Sequence, residues 1–174
     1  MNKIHVNISN EFLLDDAFLE NISLKEDIEI TIDFISDFKS AKILRDFISF
    51  FSDKIVIDNI WKSRLILITD ELINNSIEYW SESWDLNCFK LNASFLGWIN
   101  LNIEVIDSWR WKDSKTSKEM ILLRNKKKLN WFHKNNWIRG RWLFMIIEKL
   151  VDELYFKDSD KWWLIVWIKK KFEK

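Results

Sequence analysis

Residues 65–80 carry the pattern that most constrains the fold, because their apolar side chains recur at the spacing of a helix with one buried side. The apolar positions are Leu65, Ile68, Leu72, Ile73 and Ile77. Glu71 and Asn75 are four residues apart and share a neighbouring face of this helix. A carboxylate can take a proton from an attacking hydroxyl, and an amide oxygen is a hard ligand that suits magnesium. The same pair also fits an ordinary solvated helix face.

Other segments alternate apolar and polar residues as half-buried strands do. Strands are predicted over residues 28–34, 86–95, 99–106, 153–157 and 164–170, with residues 3–8 as an edge strand. Helices are predicted over residues 40–53, 65–80 and 141–152. Ser40 is the expected N-cap of the first helix. The expected fold class is therefore α+β, with a mixed sheet of about five strands and three main helices on one face.

Tryptophan and glycine occur in unusual numbers. The chain has 12 Trp and 2 Gly, whereas average usage would give about 12 Gly in a chain of this length. Many tryptophans lie where a turn or a helix start favours Gly, among them Trp109, Trp111, Trp142 and Trp163. The absence of Pro and the abundance of Ile, Lys, Asn and Phe are typical of an AT-rich genome. We hypothesise that UGA encodes Gly in the source organism and is read here as Trp; the alternative is a truly Trp-rich protein.

With Gly at those positions, three motifs appear in order along the chain. Residues 71–80 read Glu-Leu-Ile-Asn-Asn-Ser-Ile-Glu-Tyr-Gly, and residues 105–111 read Val-Ile-Asp-Ser-Gly-Arg-Gly. Residues 137–146 read Gly-Ile-Arg-Gly-Arg-Gly-Leu-Phe-Met-Ile. This set resembles the ATP-binding domain shared by gyrases, histidine kinases and certain chaperones, the GHKL or Bergerat superfamily. Within it, the closest resemblance is to the stand-alone anti-sigma factor serine kinases.

The resemblance covers about residues 40–170 and implies a single histidine kinase-like ATP-binding domain over residues 1–174. Its fold would be the Bergerat type of two-layer α/β sandwich. Residues 1–39 would form an N-terminal extension and the first strands. Residues 109–140, which lack a steady hydrophobic period, would form an irregular lid over ATP.

Part of the nucleotide site implied by the resemblance lies around Asp107. Its carboxylate would accept a hydrogen bond from the exocyclic amine of adenine. Trp109 and Trp111 would occupy Gly positions at which the backbone approaches the nucleotide. The hydrophobic pattern predicts a strand that ends just before Asp107. The carboxylate would therefore lie at the end of that strand.

The catalytic groups implied by the resemblance lie on the helix described first. Asn75 would hold Mg²⁺, which bridges phosphate oxygens, and Glu71 would orient or deprotonate the attacking nucleophile. Asn74 is an alternative metal ligand, one helical step away from the register of Glu71. Tyr79 either packs near the nucleotide or is an ordinary core residue.

A second group of implied contacts surrounds the phosphates. Gly140 and Trp142 precede and open the helix predicted over residues 141–152, where free N–H groups favour anions. Arg139 and Arg141 would add positive charge there, or would face a protein partner instead. Residues 109–141 hold 11 Lys or Arg against 2 Asp or Glu. Such a basic segment fits a phosphate site, and it also fits a solvated loop.

The resemblance implies an ATP- and Mg²⁺-dependent serine/threonine protein kinase that regulates transcription. It would phosphorylate an anti-sigma antagonist and bind a sigma factor, and the resemblance is also compatible with a homodimer. Two alternatives remain: a non-catalytic ATP-gated binding module, and the catalytic domain of a two-component histidine kinase. The latter needs an upstream phospho-acceptor His on a dimerisation helix, and residues 1–60 contain only His5, in a strand-like context.

The remaining composition bears on location and other partners. The formal net charge is 0, so no general charge indicates nucleic acid or membrane as a partner. The single Cys88 excludes an internal disulfide and agrees with a reducing compartment. No apolar run approaches 18 residues, and the first residues lack the apolar core of a signal peptide. We expect an unanchored protein in the cytoplasm.

Overall fold

The computed structural model describes residues 2–8, 22, 26–55, 57–81, 85–107, 116–130, 149–160 and 164–172. Its strands are β1 (Asn2–Asn7), β2 (Ile28–Ile35), β3 (Leu86–Ser94), β4 (Ile99–Ile106), β5 (Glu153–Asp158) and β6 (Leu164–Phe172). Its longer helices are α1 (Phe38–Lys54), α2 (Asn59–Asn75) and α3 (Ser117–Asn130). A π-helical turn, Ser76–Trp80, continues α2. Within these ranges, no helix combines the length and the apolar character needed to cross a membrane.

The strands form one sheet in the order β1-β2-β3-β4-β6-β5. The β1 strand runs parallel to β2, and every other neighbouring pair is antiparallel. The sheet is therefore mixed, and the predicted α+β class with helices packed on a sheet is confirmed. The count is six rather than about five, because residues 2–7 pair with β2 over their whole length.

The helices pack on the face of the sheet where side chains alternate into the core. The paired rows bring Ile30, Leu91, Ile103, Ile168 and Leu154 together across five strands, all of them buried. An edge-on contact between Phe47 of α1 and Phe89 of β3, with ring centroids 6.2 Å apart, joins the two layers. Opposite residues on the outer face, such as Thr31 and Lys90, are only half-buried. The alternation thus determines which face the helices cover.

The first helix begins earlier than predicted. Ser40 is not the N-cap of α1: the cap is Asp37, whose backbone is extended and whose carboxylate accepts from the Ser40 N–H at 2.7 Å. The α2 helix begins in the same way at Asp58, which accepts from the Trp61 N–H at 2.9 Å. Each Asp satisfies an amide that the first turn of a helix leaves without a partner.

The segment expected to be an irregular lid contains a helix of 14 residues, α3. Its start is a capping box, in which the Thr116 N–H donates to Glu119 at 2.8 Å and the Glu119 N–H donates to the Thr116 hydroxyl at 3.3 Å. The expectation of a wholly irregular segment is therefore wrong. Of the helix predicted over residues 141–152, only residues 149–152 are described: 149 and 150 are helical, and 151 and 152 form a bend.

A tight connection joins β3 and β4, as predicted from Gly97 and Trp98. Gly97 has a φ of 73°, a conformation that side-chain-bearing residues rarely adopt. The Trp98 N–H donates to the Leu96 carbonyl at 2.8 Å. The two strands pair from Ser94 and Asn100 onward, so the hairpin prediction is confirmed.

Candidate functional site at the end of α2

Glu71 lies on α2 with a half-buried side chain. Burial raises the pKa of its carboxyl group above the ordinary value of 4.5, and the negative charges of Asp70 and Glu78 raise it further. A carboxylate whose pKa is moved toward neutrality is a better acceptor for a proton leaving a hydroxyl at physiological pH. The environment of Glu71 therefore suits a general base.

Asp70 and Glu78 contribute to the site although the sequence motifs did not single them out. Asp70 is held by Arg45 of α1, with 3.4 Å between the guanidinium nitrogen and the carboxylate oxygen. Glu78 is exposed in the π-helical turn. The sequence signal was present, since Asp70 adjoins Glu71 and Glu78 follows it by about two helical turns. The effect of these two charges on the pKa of Glu71 could not be predicted, because it depends on how strongly Glu71 is buried.

Asn75, the last residue of α2, is 5% exposed. Its side-chain nitrogen has no hydrogen-bond partner in the part of the chain that the structure describes. A buried polar group left without a partner costs about 1–3 kcal/mol. A half-turn of the amide exchanges its nitrogen and oxygen, so the same position can meet a metal ion or a phosphate oxygen. Asn75 is thus prepared for a ligand.

The π-helical turn begins directly after Asn75. The Ser76 side chain is fully buried, and its hydroxyl donates to the Ile73 carbonyl at 2.8 Å, within the last turn of α2. Such a bond competes with the regular backbone ladder and bends helices. Single π-helical turns inside helices are frequent at functional sites. This irregularity therefore lies next to the candidate ligand residue.

Asp107 follows β4 and is 2% exposed. One of its carboxylate oxygens accepts from the Leu164 N–H at 3.0 Å, and its own N–H donates to the Leu164 carbonyl at 3.2 Å. Asp107 thereby joins the end of β4 to the start of β6. An ionised carboxylate can accept about four hydrogen bonds, so this structural contact is compatible with an additional contact to a ligand.

The ends of α2 and β4 lie toward the same end of the sheet. At the opposite end, Trp61 in the first turn of α2 meets Phe172 edge-on, with ring centroids 5.4 Å apart. Phe172 in turn pairs with Ile99, the first residue of β4. At the other end, the Ser81 hydroxyl that follows the π-helical turn donates to the side-chain oxygen of Asn87 at 2.7 Å, and the next residue of β3, Cys88, pairs with Ile106 at the end of β4. The Glu71–Asn75 segment and Asp107 are therefore placed at one end of the molecule.

Six of the predicted site residues fall outside the described residues: Trp109, Trp111, Arg139, Gly140, Arg141 and Trp142. Their predicted roles at the nucleotide remain predictions. The side chain of Tyr79 is likewise outside the described part of the structure. The structure thus describes three of the nine predicted site residues, and it places all three at the same end of the sheet.

Cys88 is excluded as a nucleophile. Burial raises the pKa of its thiol to about 12, and the neighbouring Asp33 acts in the same direction. The thiol therefore stays protonated at physiological pH. Among the described residues, no group of three or more His, Cys, Asp or Glu side chains could hold a metal ion.

The chain matches no protein-family model, and no curated protein matches it significantly.

Proposed function

We propose that the protein is an ATP- and Mg²⁺-dependent kinase that phosphorylates serine or threonine on a partner protein. The observation that carries this proposal is the pair Glu71 and Asn75. A half-buried carboxylate with a raised pKa lies one helical turn from a buried amide whose nitrogen lacks a partner among the described residues. Phosphoryl transfer needs such a proton acceptor and such a ligand beside the transferred group.

Each described site residue has a distinct role in this proposal. Asn75 would hold Mg²⁺ through its amide oxygen once a half-turn of the amide places that oxygen where the nitrogen now lacks a partner among the described residues. The metal, when bound, would neutralise charge on the phosphates. Asp107 would accept a hydrogen bond from the exocyclic amine of adenine while it keeps its hydrogen bond from the Leu164 N–H. Glu71 would accept the proton of the attacking hydroxyl. The hydroxyl oxygen then bonds to the γ-phosphorus as the bond to ADP breaks, which leaves a phosphoprotein and ADP.

The partners in this proposal come from the resemblance to anti-sigma factor kinases. The substrate would be an anti-sigma antagonist, the regulated protein would be a sigma factor, and the reaction would take place in the cytoplasm. His5 lies on β1 and not on a helix, so it does not match the phospho-acceptor His that a histidine kinase carries on its dimerisation helix. The Nε2 atom of His5 is 2.7 Å from a carboxylate oxygen of Asp33.

The first experiment compares ATP binding by two forms of the chain. The printed sequence places indoles at positions where the proposal requires Gly, so we expect no measurable ATP affinity in calorimetry with Mg²⁺. A variant with Trp109, Trp111, Trp137 and Trp142 all changed to Gly should bind ATP. Tight binding by the printed chain, or no gain in the variant, would contradict the recoding hypothesis.

The second experiment follows labelled γ-phosphate from ATP into a candidate antagonist encoded beside this gene. The variant with the four Trp-to-Gly changes, called the glycine-restored protein below, should transfer the label to a serine or threonine of that partner. ATP binding without transfer to any such partner would instead favour the non-catalytic ATP-gated module.

A further inference from the structure

The α3 helix is fixed against the sheet through its inner side. Met120 is 2% exposed and belongs to the hydrophobic core. The Arg124 guanidinium donates to the Leu154 carbonyl of the edge strand β5 at 3.3 Å. It also lies 6.0 Å from the ring centroid of Phe156 on the same strand. These contacts determine which side of α3 faces the protein.

The start of α3 is held at the other end of the same strand. Asp158 accepts from both the N–H and the hydroxyl of Ser117, each at 2.7 Å. A carboxylate at this position also complements the positive end of the helix dipole. With both its start and its inner side bound to β5, α3 cannot rotate about its axis, so its outer side is defined.

The outer side of α3 exposes large aliphatic residues between cations. Leu122 is 66% exposed and Ile121 is 37% exposed. Lys118 and Lys126 are exposed one turn before and one turn after this pair, and Asn125 is exposed beside Lys126. The five residues recur at intervals of three and four, so they form one continuous helix face. We refer to Lys118, Ile121, Leu122, Asn125 and Lys126 as the α3 stripe.

The charge of this helix is strongly positive. Residues 117–130 contain five Lys or Arg and a single acidic residue, Glu119. That carboxylate is already bound to Thr116 in the capping box. On the described outer face, an approaching partner therefore meets Lys118 and Lys126 around a small apolar centre. Such a surface attracts acidic groups at a distance, and burial of apolar groups against it stabilises the complex.

From this arrangement we propose that the α3 stripe is a docking site for an acidic amphipathic helix of a partner protein. A helix with Leu-type residues at intervals of three and four would cover Ile121 and Leu122. Acidic residues on its flanks would meet Lys118 and Lys126. The stripe is narrow, which matches one partner helix. Membrane-surface helices instead carry a full apolar face, and nucleic acid binding depends on phosphate contacts rather than on exposed aliphatic residues.

This inference is independent of ATP chemistry, and the test needs no nucleotide. The probe is a synthetic helical peptide with Leu at intervals of three and four and Glu at its flanking positions. Binding to the full chain is followed by amide chemical shifts and by fluorescence anisotropy. We expect shifts centred on residues 118–126 and an affinity that falls as salt is raised. A peptide with Lys in place of Glu should not bind.

Variants then test the contact itself. Leu122→Ser should weaken peptide binding about tenfold, consistent with the loss of one buried aliphatic side chain. Lys126→Glu should also weaken it and reduce its salt dependence. Leu67→Ser is the matched control, because Leu67 is 44% exposed on a different helix, α2; it should leave binding unchanged.

Two results would overturn the inference. One is an absence of peptide-induced shifts on α3 at any attainable concentration, or binding that is equally strong in Leu122→Ser. The other is a failure to bind the peptide together with Leu122-dependent binding to phosphatidylglycerol vesicles or to duplex DNA. The second result would assign the stripe to a membrane or to nucleic acid. Since no ATP is present, neither result depends on whether the protein is a kinase.

Discussion

The end of α2 and the outer face of α3 depart from ordinary burial in opposite directions. At the end of α2, Asn75 is buried, and its side-chain nitrogen has no partner within the described part of the chain. On α3 an apolar side chain, Leu122, is 66% exposed. The first arrangement costs free energy of desolvation on folding, whereas the second leaves apolar surface in water, as it is in the unfolded chain, and so contributes little to folding. The two proposals therefore call for different ligands, a small polar one at the end of α2 and a protein helix on α3.

The largest expected effect concerns Glu71 as a proton acceptor. In the glycine-restored protein, Glu71→Gln should lower the rate of phosphoryl transfer about 10²–10⁴-fold, the usual contribution of a general base. ATP affinity should change by no more than a few fold, because a neutral amide keeps the size and position of the side chain. Single-turnover kinetics and calorimetry separate the two quantities.

Asp46→Asn is the control for that measurement, because it removes an exposed carboxylate from α1. Its transfer rate should match that of the parent protein. If Glu71→Gln keeps the full rate while the partner is phosphorylated, Glu71 is not the base and positioning alone supports the reaction.

The next effect separates the structural and ligand-binding roles of Asp107. Asp107→Ala should lower the free energy of unfolding by about 1–3 kcal/mol, because it removes the acceptor of the buried Leu164 N–H. Asp107→Asn keeps an oxygen at that position and should lose less stability. In the glycine-restored protein it should nevertheless weaken ATP binding, since an amide cannot replace the carboxylate charge. Urea unfolding and calorimetry measure the two effects; unchanged ATP affinity would remove Asp107 from the site.

The third prediction tests whether burial of Asn75 serves folding at all. Asn75→Leu should leave the free energy of unfolding unchanged or raise it by up to about 1 kcal/mol. It replaces an amide, whose nitrogen has no partner among the described residues, with an apolar group of similar size. Asn75→Ala removes the same group but leaves a cavity, so it should be the less stable variant. Both should abolish Mg²⁺-dependent ATP binding in the glycine-restored protein. A clear loss of stability in Asn75→Leu would mean that the amide has a structural role.

The fourth prediction follows from the raised pKa of Glu71. The folded state binds this proton more tightly than the unfolded state, whose carboxyl has the ordinary value of 4.5. The free energy of unfolding should therefore fall as pH rises from about 4.5 through the folded-state pKa, and then level off. Glu71→Gln lacks this proton, so its stability relative to the parent should increase over that range. The free energy of unfolding of both proteins is measured in urea at pH values from about 3 to about 8. A difference between the two proteins that stays constant over this range would refute the raised pKa.

The smallest effect is expected on α3. Leu122→Ser should change the free energy of unfolding by less than about 0.5 kcal/mol, the usual range for exposed positions. Met120→Ser, two residues earlier and buried, should cost several times more because it removes a core side chain. Thermal and urea unfolding of both variants would show this. A large loss in Leu122→Ser would mean that the outer face of α3 is part of the fold and is not a free docking surface.

Most strands could be predicted because their periodicity is local. Residues 99–105 alternate strictly, and the predicted and observed limits of β4 coincide. The α3 helix was missed because Met120, Ile121, Leu122 and Leu123 are consecutive apolar residues with no helical period. Its capping box at Thr116 and Glu119 was a readable signal. For α1, whether Asp37 or Ser40 is the N-cap depends on the turn that follows β2. The spacing of apolar residues does not describe that turn.

The candidate site shows the same division. The resemblance, through its three motifs, led to Glu71, Asn75 and Asp107 as candidate site residues. The influence of Asp70 and Glu78 on Glu71 was not predicted, since the strength of a charge interaction depends on burial. The structure therefore supplied the electrostatics of a site whose residues were already chosen.

The sequence by itself determined the α+β class, the buried face of each strand and the helix that carries Glu71 and Asn75, because these follow from the repeat of apolar residues along the chain. Only the tertiary structure decided that β6 lies between β4 and β5 and that Asp107 bonds to Leu164, 57 residues away. It also decided which side of α3 faces solvent. Each of these outcomes depends on contacts between distant segments, and local spacing carries no information about which distant segments meet.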